Sequence, residues 1–196
     1  MNKKVLIFGS TGGIGEQIKN ILFLKKYEIV SPTRKEIDFN SKNSCNLIED
    51  TIKKYSPDII INCSGILGDN DTDYDSLFNI NLKSNWNILN YYKKNLSNKI
   101  VKIIMIGSSA YESGRKDYIL YAASKAALFN MFQGASEYFE SSNIILGLIN
   151  PSKVNTKMIS HLKNISKSNL SDPLTIANDI VTFFENITKS NFINIK

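Results

Sequence analysis

Short apolar runs alternate along the chain with longer segments in which apolar positions recur every three or four residues. Lys4–Phe8 is the first run, and a glycine-rich turn separates it from an amphipathic stretch over 14–25. Glu28–Val30 is a second short run, closed by Ser31 and Pro32, and 41–55 reads as a polar helix. A strand over 58–61, a long helix over 73–96, a strand over 100–106, a second long helix over 121–140 and a strand over 143–149 follow. Asp172 ahead of Pro173 is an N-cap with proline at the first helical position, and Asn191–Ile195 is the last strand. Continuously apolar strands separated by helices predict an α/β chain with a doubly wound parallel sheet, helices covering both of its faces. Such sheets bind ligands beyond the carboxyl ends of their strands, so the chemistry is expected in the residues that follow each strand.

Composition narrows the picture. A chain of 196 residues with 42% hydrophobic and 21% charged residues is expected to form one domain, 1–196. Its net charge of +6 comes from 22 lysines and two arginines, with no run of five like charges. That is a solvated basic surface, not a nucleic-acid stripe. Two cysteines, Cys45 and Cys63, and one histidine, His161, argue against a metal site or a disulfide framework and fit a reducing, cytoplasmic setting. The apolar run at 5–8 stops after four residues, too short for a signal peptide, and no stretch nears the roughly 18 apolar residues of a membrane span.

The candidate chemistry sits where the strands end. After the first strand comes Gly9-Ser10-Thr11-Gly12-Gly13-Ile14-Gly15. Gly9 permits a tight turn, Gly13 lets backbone approach a pyrophosphate, Gly15 lets the helix pack on the strand, and the helix N-terminus offers free N–H groups. This marks a Rossmann-like nucleotide site; the GxxxGxG spacing with no GK[ST] excludes a P-loop. After the second strand, where NAD sites carry an acid, the chain reads Ser31-Pro32-Thr33-Arg34, and a guanidinium there suits a 2′-phosphate. NADP(H) is therefore favoured, with NAD(H) possible. Asp38, with Phe39 beside it, is a candidate for the adenine end. Asn62-Cys63-Ser64-Gly65 follows the third strand and Gly107-Ser108-Ser109 the fourth. Tyr121 and Lys125, four apart on one helix face, place an ammonium near a phenol, which favours the phenolate.

Together these residues resemble the short-chain dehydrogenase/reductase family, in its one-domain branch. The glycine turn, Asn62, Asn81 in Asn79-Ile80-Asn81-Leu82, Ser108, Tyr121-Ala122-Ala123-Ser124-Lys125 and the run from Pro151 through Val154 to Thr156 occur in the family's order. Ser108 lies 13 residues before Tyr121 and Asn81 lies 40 before it, the family's usual separations.

The resemblance implies roles. Tyr121 is the general acid or base toward a carbonyl/alcohol substrate, Lys125 lowers its pKa and bonds the nicotinamide ribose, and Ser108, with Ser109 as the rival, bonds the substrate oxygen. Asn81 holds a water linking Lys125 to solvent, and Pro151, Val154 and Thr156 lie against the nicotinamide and diphosphate. Gly9, Ser10, Thr11, Gly13, Ile14, Gly15, Arg34, Asp38, Phe39, Asn62, Ser64 and Gly65 complete the cofactor set, which includes Tyr121 and Lys125. A homodimer or homotetramer is implied too, through the two long helices. The chain departs from the family in Cys63-Ser64 and in Ser152, and has little room after Arg34 and between Thr156 and Pro173. One trimmed sheet edge and a short substrate lid around 157–172 are therefore expected. The stretch around Arg34 also resembles the sugar-nucleotide reductases, so an epimerase or dehydratase, or a cofactor-binding sensor or scaffold without turnover, remains an alternative. Tyr111, Arg115, Tyr118, Lys153, Met158 and His161 are expected near the pocket mouth, a partly cationic set that hints at an anionic substrate.

Overall fold

A computed structural model describes residues 2–68, 71–160 and 170–195. The described elements are β1 (Lys4–Phe8), α1 (Gly13–Leu24), β2 (Glu28–Val30), α2 (Ser44–Tyr55), β3 (Ile59–Asn62), α3 (Tyr74–Phe78), α4 (Ser84–Lys94), β4 (Val101–Ile106), α5 (Ile119–Tyr138), β5 (Ile144–Pro151), α6 (Pro173–Asn186) and β6 (Asn191–Ile195). The strands form one parallel sheet in the order β2-β1-β3-β4-β5-β6. The chain winds outward from β1 to β2, returns to β3 on the other side, and so opens a crevice between the carboxyl ends of β1 and β3.

Alternation along the strands divides the core between the two faces. Leu6 and Phe8 point to one face with Ile60, Ile103, Met105 and Leu148, under Ile48 and Ile52 of α2, Ile88 and Leu89 of α4 and Leu128 and Phe132 of α5. Val5 and Ile7 point to the other with Ile59, Ile61, Ile104 and Ile149, under Ile18 and Leu22 of α1 and Ile176, Ile180 and Phe184 of α6. Asp172 caps α6, accepting from Thr175 N at 3.0 Å, as its place before a proline predicts.

The trimmed edge has a physical account. No strand forms between β2 and α2; the chain folds inward, burying Ile37 and Phe39, and the Phe39 ring meets Phe8 edge-on at 5.6 Å. Those two side chains cover the core that a further strand would otherwise cover.

The expected helix over 73–96 is not continuous. A five-residue π-helical turn, Asn79–Lys83, separates α3 from α4. Polar side chains open it: Ser84 Oγ donates to Ile80 O at 2.7 Å and Asn85 Nδ2 to Asn81 O at 3.2 Å, competing for the helix carbonyls. Such turns recur at functional sites, and Asn81 lies in the middle of this one.

Candidate active site

A cleft of about 520 Å³ runs across the carboxyl ends of the strands, from Arg34, Asp38 and Phe39 to Ser108, Tyr121 and Lys125. Its first half is made of backbone. Gly9 has φ +73°, and a Cβ there would stand 2.6 Å from Ser64 N. A Cβ on Gly13 would press on the Thr156 side chain, and one on Gly15 would fall on the Gly9 carbonyl. Helix α1 starts without a side-chain cap, so its first amides are left for a ligand. Ser10, Thr11 and Ile14 line the same turn, with Ser64, Gly65, Pro151 and Val154 on the wall beyond. This cradle fits a dinucleotide: a glycine turn that no side chain can fill, under an uncapped helix end, inside a cleft of ligand size.

At the far end of that half, Thr33 N and Oγ1 donate to Glu36 Oε2 at 2.7 and 2.8 Å. These bonds hold the Glu36 carboxyl below its ordinary range and fix the turn that carries Arg34. Arg34 Nε pairs with Asp38 at 3.6 Å on an exposed surface, leaving the Nη groups available. Ile37 joins Phe39 as an apolar wall that the sequence reading did not include.

The second half is made of side chains. Helix α5 starts two residues ahead of Tyr121, so Tyr121 and Lys125 occupy its first turns on the cleft side. Ser108 follows β4 and caps a short 3-10 turn, Ser109–Tyr111, its Oγ accepting from Ala110 N at 3.1 Å. That leaves the hydroxyl proton to donate, and Ser108 acts on the Tyr121 phenol in the direction of a lower pKa. Lys125 is buried, with Nζ 5.6 Å from the centre of the Tyr121 ring and donating to Ile106 O at 2.9 Å.

Burial moves the pKa of both side chains. Burial pushes Lys125 down to about 8, and burial pushes Tyr121 above its ordinary 10, with the bond from Ser108 acting against it. The group that favours the phenolate in this arrangement is thus Ser108; the Lys125 ammonium is turned to a carbonyl.

Asn62 and Asn81 stand behind the cleft wall. Asn62 Nδ2 donates to Ser84 Oγ at 2.9 Å and Asn85 Oδ1 at 3.0 Å, while its Oδ1 accepts from Ser64 N at 3.1 Å. Asn81 accepts from Ile66 N and donates to Ile66 O, both at 2.9 Å, and donates to Ser124 Oγ at 3.1 Å. Its Oδ1 and Lys125 Nζ approach Gly65 together, 3.5 and 3.9 Å from where a Cβ would stand. Ser84, Asn85 and Ser124, all buried, are partners that sequence reading passed over. The one available signal was their polarity in helices that otherwise face a core. Of the expected mouth residues, Arg115, Tyr118, Lys153 and Met158 line the cleft, whereas Tyr111 is not on its wall. Tyr111 stacks on Phe129 at 4.2 Å. His161 lies outside the described residues.

The sequence model for short chain dehydrogenase matches residues 34–166. The chain belongs to the short-chain dehydrogenase family. Among curated proteins, this short-chain dehydrogenase is 25% identical to a 3-oxoacyl-[acyl-carrier-protein] reductase FabG of Buchnera aphidicola subsp. Schizaphis graminum, over 97% of this chain and 92% of that one. A protein of the same name from Rickettsia bellii is 28% identical over 83% and 77% of the two chains. Among solved structures, ElxO with NADP bound superposes with a TM-score of 0.85 at 21% identity, covering 100% of this chain and 97% of its own. A 4-hydroxyisoleucine dehydrogenase complexed with NADH gives 0.82 at 23% identity, covering 98% and 97%. These likenesses place the short-chain dehydrogenase fold along the whole chain. The protein is an oxidoreductase of the CH–OH/C=O pair. Among the described residues, no helix is long and apolar enough to cross a membrane.

Proposed function

We propose that this short-chain dehydrogenase reduces a ketone to an alcohol, with Tyr121 as proton donor and NADPH as the favoured cofactor. The placing of Ser108, Tyr121 and Lys125 together on the cleft wall, with Lys125 Nζ 5.6 Å from the centre of the Tyr121 ring, carries the reading. When bound, the cofactor supplies the hydride that adds to the carbonyl carbon. Tyr121 Oη gives its proton to the carbonyl oxygen as that oxygen gains charge, and Ser108 Oγ–H donates to the same oxygen. A raised Tyr121 pKa suits a donor, because the phenol stays protonated at neutral pH. Lys125, buried and about half neutral near pH 8, is poised to return a proton to Tyr121, with Asn81 beside it at Gly65. Gly9, Gly13, Gly15 and the first amides of α1 bind the diphosphate, Thr156 closes over it, and Arg34 bonds the 2′-phosphate.

A 3-oxoacyl thioester is the proposed substrate class, supported by the 3-oxoacyl reductase names of the curated relatives. It is also supported by Arg115, Lys153 and Lys157 on the cleft wall, where an anionic carrier would be met by cations. One domain, a cytoplasmic setting with Cys45 and Cys63 as free thiols, and a homodimer or homotetramer complete the reading, while most of the lid expected around 157–172 lies outside the described residues. Trp86 of α4 and Tyr138 of α5, both exposed, supply apolar surface for such an assembly.

The test follows NADPH oxidation over a panel of ketones and 3-oxoacyl thioesters. Tyr121→Phe is expected to lower kcat by about a thousandfold with NADPH affinity unchanged. A Tyr121→Phe protein that keeps its turnover would overturn the assignment.

A further inference from the structure

Asn150 is out of place by composition. It sits near the end of β5, 1% exposed, directly after the buried Leu146, Leu148 and Ile149. A carboxamide there is unfavourable unless its atoms find partners. Its Nδ2 does, donating to Asn194 Oδ1 of β6 at 3.1 Å, across the register pair Asn150 and Asn194. Its Oδ1 has no hydrogen-bond partner. That oxygen lies against the Cα of Gly107, on the spot a Cβ would occupy. A Cα–H facing an amide oxygen is a weak but directional contact.

Gly107 is the last residue before Ser108, and its N donates to Ile149 O at 2.7 Å, so its backbone is fixed on β5. The far end of the same turn is held by the same asparagine pair, because Asn194 Nδ2 donates to the Tyr111 hydroxyl at 3.4 Å. The result is a closed ring of contacts: Gly107, Ser108, Tyr111, Asn194, Asn150 and back to Gly107.

We propose that Asn150 is a positioning residue for Ser108, its carboxamide seated under Gly107 and tied through Asn194 to Tyr111 so that the Ser108 hydroxyl is held toward Tyr121. The proposal rests on the roles given above to Ser108 and Tyr121. Ser108 has one hydroxyl proton for two oxygens, that of Tyr121 before substrate binds and that of the substrate after, and a displacement of about 1 Å in such a group costs up to a hundredfold in rate. The backbone bond of Gly107 fixes its distance from β5 but not the tilt of the turn. The asparagine contact on one side and the Tyr111 bond on the other fix the tilt.

Four variants and two readouts test it: steady-state kinetics on a turned-over ketone, and ultraviolet titration of the Tyr121 phenolate as the difference between each protein and its Tyr121→Phe counterpart. Tyr118, ring centre 5.9 Å from that of Tyr121, and Lys125 are the other titratable groups against the phenol, and no variant touches them. Asn150→Ala is expected to lower kcat about tenfold at unchanged NADPH affinity and to move the Tyr121 titration upward, because a misplaced Ser108 no longer donates to the phenolate. Tyr111→Phe removes only the hydroxyl at the other end, keeps the stack on Phe129, and should lower kcat by about threefold in the same direction. Gly107→Ala should be worse than either, and Gly107→Ala combined with Asn150→Ala should recover most of the way to Asn150→Ala alone, since the added methyl then meets only the Ile149 carbonyl, 3.3 Å away.

An Asn150→Ala protein with unchanged kcat and unchanged Tyr121 titration overturns the proposal. So does a double variant no better than Gly107→Ala, or a drop in kcat matched by a drop in NADPH affinity. If Ser108→Ala itself leaves turnover intact, the catalytic reading has failed instead, and the titration still decides whether Asn150 sets the Ser108–Tyr121 bond.

Discussion

The two halves of the cleft are built from different materials. The cofactor half is backbone: Gly9, Gly13 and Gly15 matter for the atoms they lack, and a Cβ on any of the three would strike a neighbour. The reaction half is buried side chain: Asn62, Asn81, Ser84, Asn85, Ser124 and Lys125 lie at most 4% exposed. Most of their polar atoms are spent on one another or on nearby carbonyls. The first half therefore tolerates no added atom, whereas in the second the outcome depends on the balance between burial and the hydrogen bonds that offset it. That difference sets the sign and size of what substitutions do.

Gly15→Ala is the strongest way to break the backbone half. The new methyl would fall on the Gly9 carbonyl and stand 3.0 Å from the Gly9 carbonyl carbon, with no flexible side chain in between to give way. Relief requires α1 to move off β1. The expected loss is about 3 kcal/mol, seen as a Tm lower by roughly 6–12 °C, together with lost NADPH binding. An equally stable Gly15→Ala protein would mean the turn has slack that these contacts do not show.

The side-chain half answers in the opposite direction. Lys125 is held at about 8 against an ordinary 10.5 because it is buried, so below pH 8 the fold carries a buried ammonium at a cost of about 3 kcal/mol. Lys125→Met removes that cost and loses the bond to Ile106 O, worth about 1 kcal/mol. Without added cofactor, the variant should be the more stable protein at pH 7 by about 2 kcal/mol in denaturant melts, and catalytically dead. The pH dependence has a definite sign. Between pH 8 and 10 the unfolded chain still binds the lysine proton while the folded chain has released it, so the wild type gains stability as pH rises and the gap closes. A gap that stays constant from pH 7 to 10 would show that Lys125 is not depressed.

The same contrast explains what the sequence could say. A backbone site must leave glycines in a fixed spacing, so Gly9, Gly13 and Gly15 were legible, as were the strands that precede each motif. Tyr121 and Lys125 were legible because one helix face carries both. Asn85, Ser124 and Asn150 were not, since a polar residue that satisfies a neighbour two elements away leaves no periodicity behind. The break at Asn79–Lys83 was hidden for the same reason: the apolar pattern over 73–96 reads as one helix, and only the side-chain bonds to Ile80 O and Asn81 O open it. Even the Tyr121 direction turned on burial, which the four-residue spacing to Lys125 does not encode.

Arg34 sits outside the comparison, on the rim of the backbone half, and supplies its mildest test. It is a side chain, 75% exposed, on a turn pinned by the Thr33–Glu36 bonds, and its one ion pair to Asp38 is long. Exposed pairs of that kind contribute little to stability, so Arg34→Ala should leave Tm unchanged. A 2′-phosphate offers the same guanidinium a doubly charged partner and bidentate geometry. NADPH affinity should therefore fall about tenfold, or about 1.4 kcal/mol, while NADH affinity stays as it was. Isothermal titration with both cofactors reads the two numbers in one experiment. Equal losses for NADPH and NADH would place Arg34 on the shared part of the cofactor and remove the basis for the NADPH preference. No loss for either would make it a surface arginine whose partner is Asp38 alone.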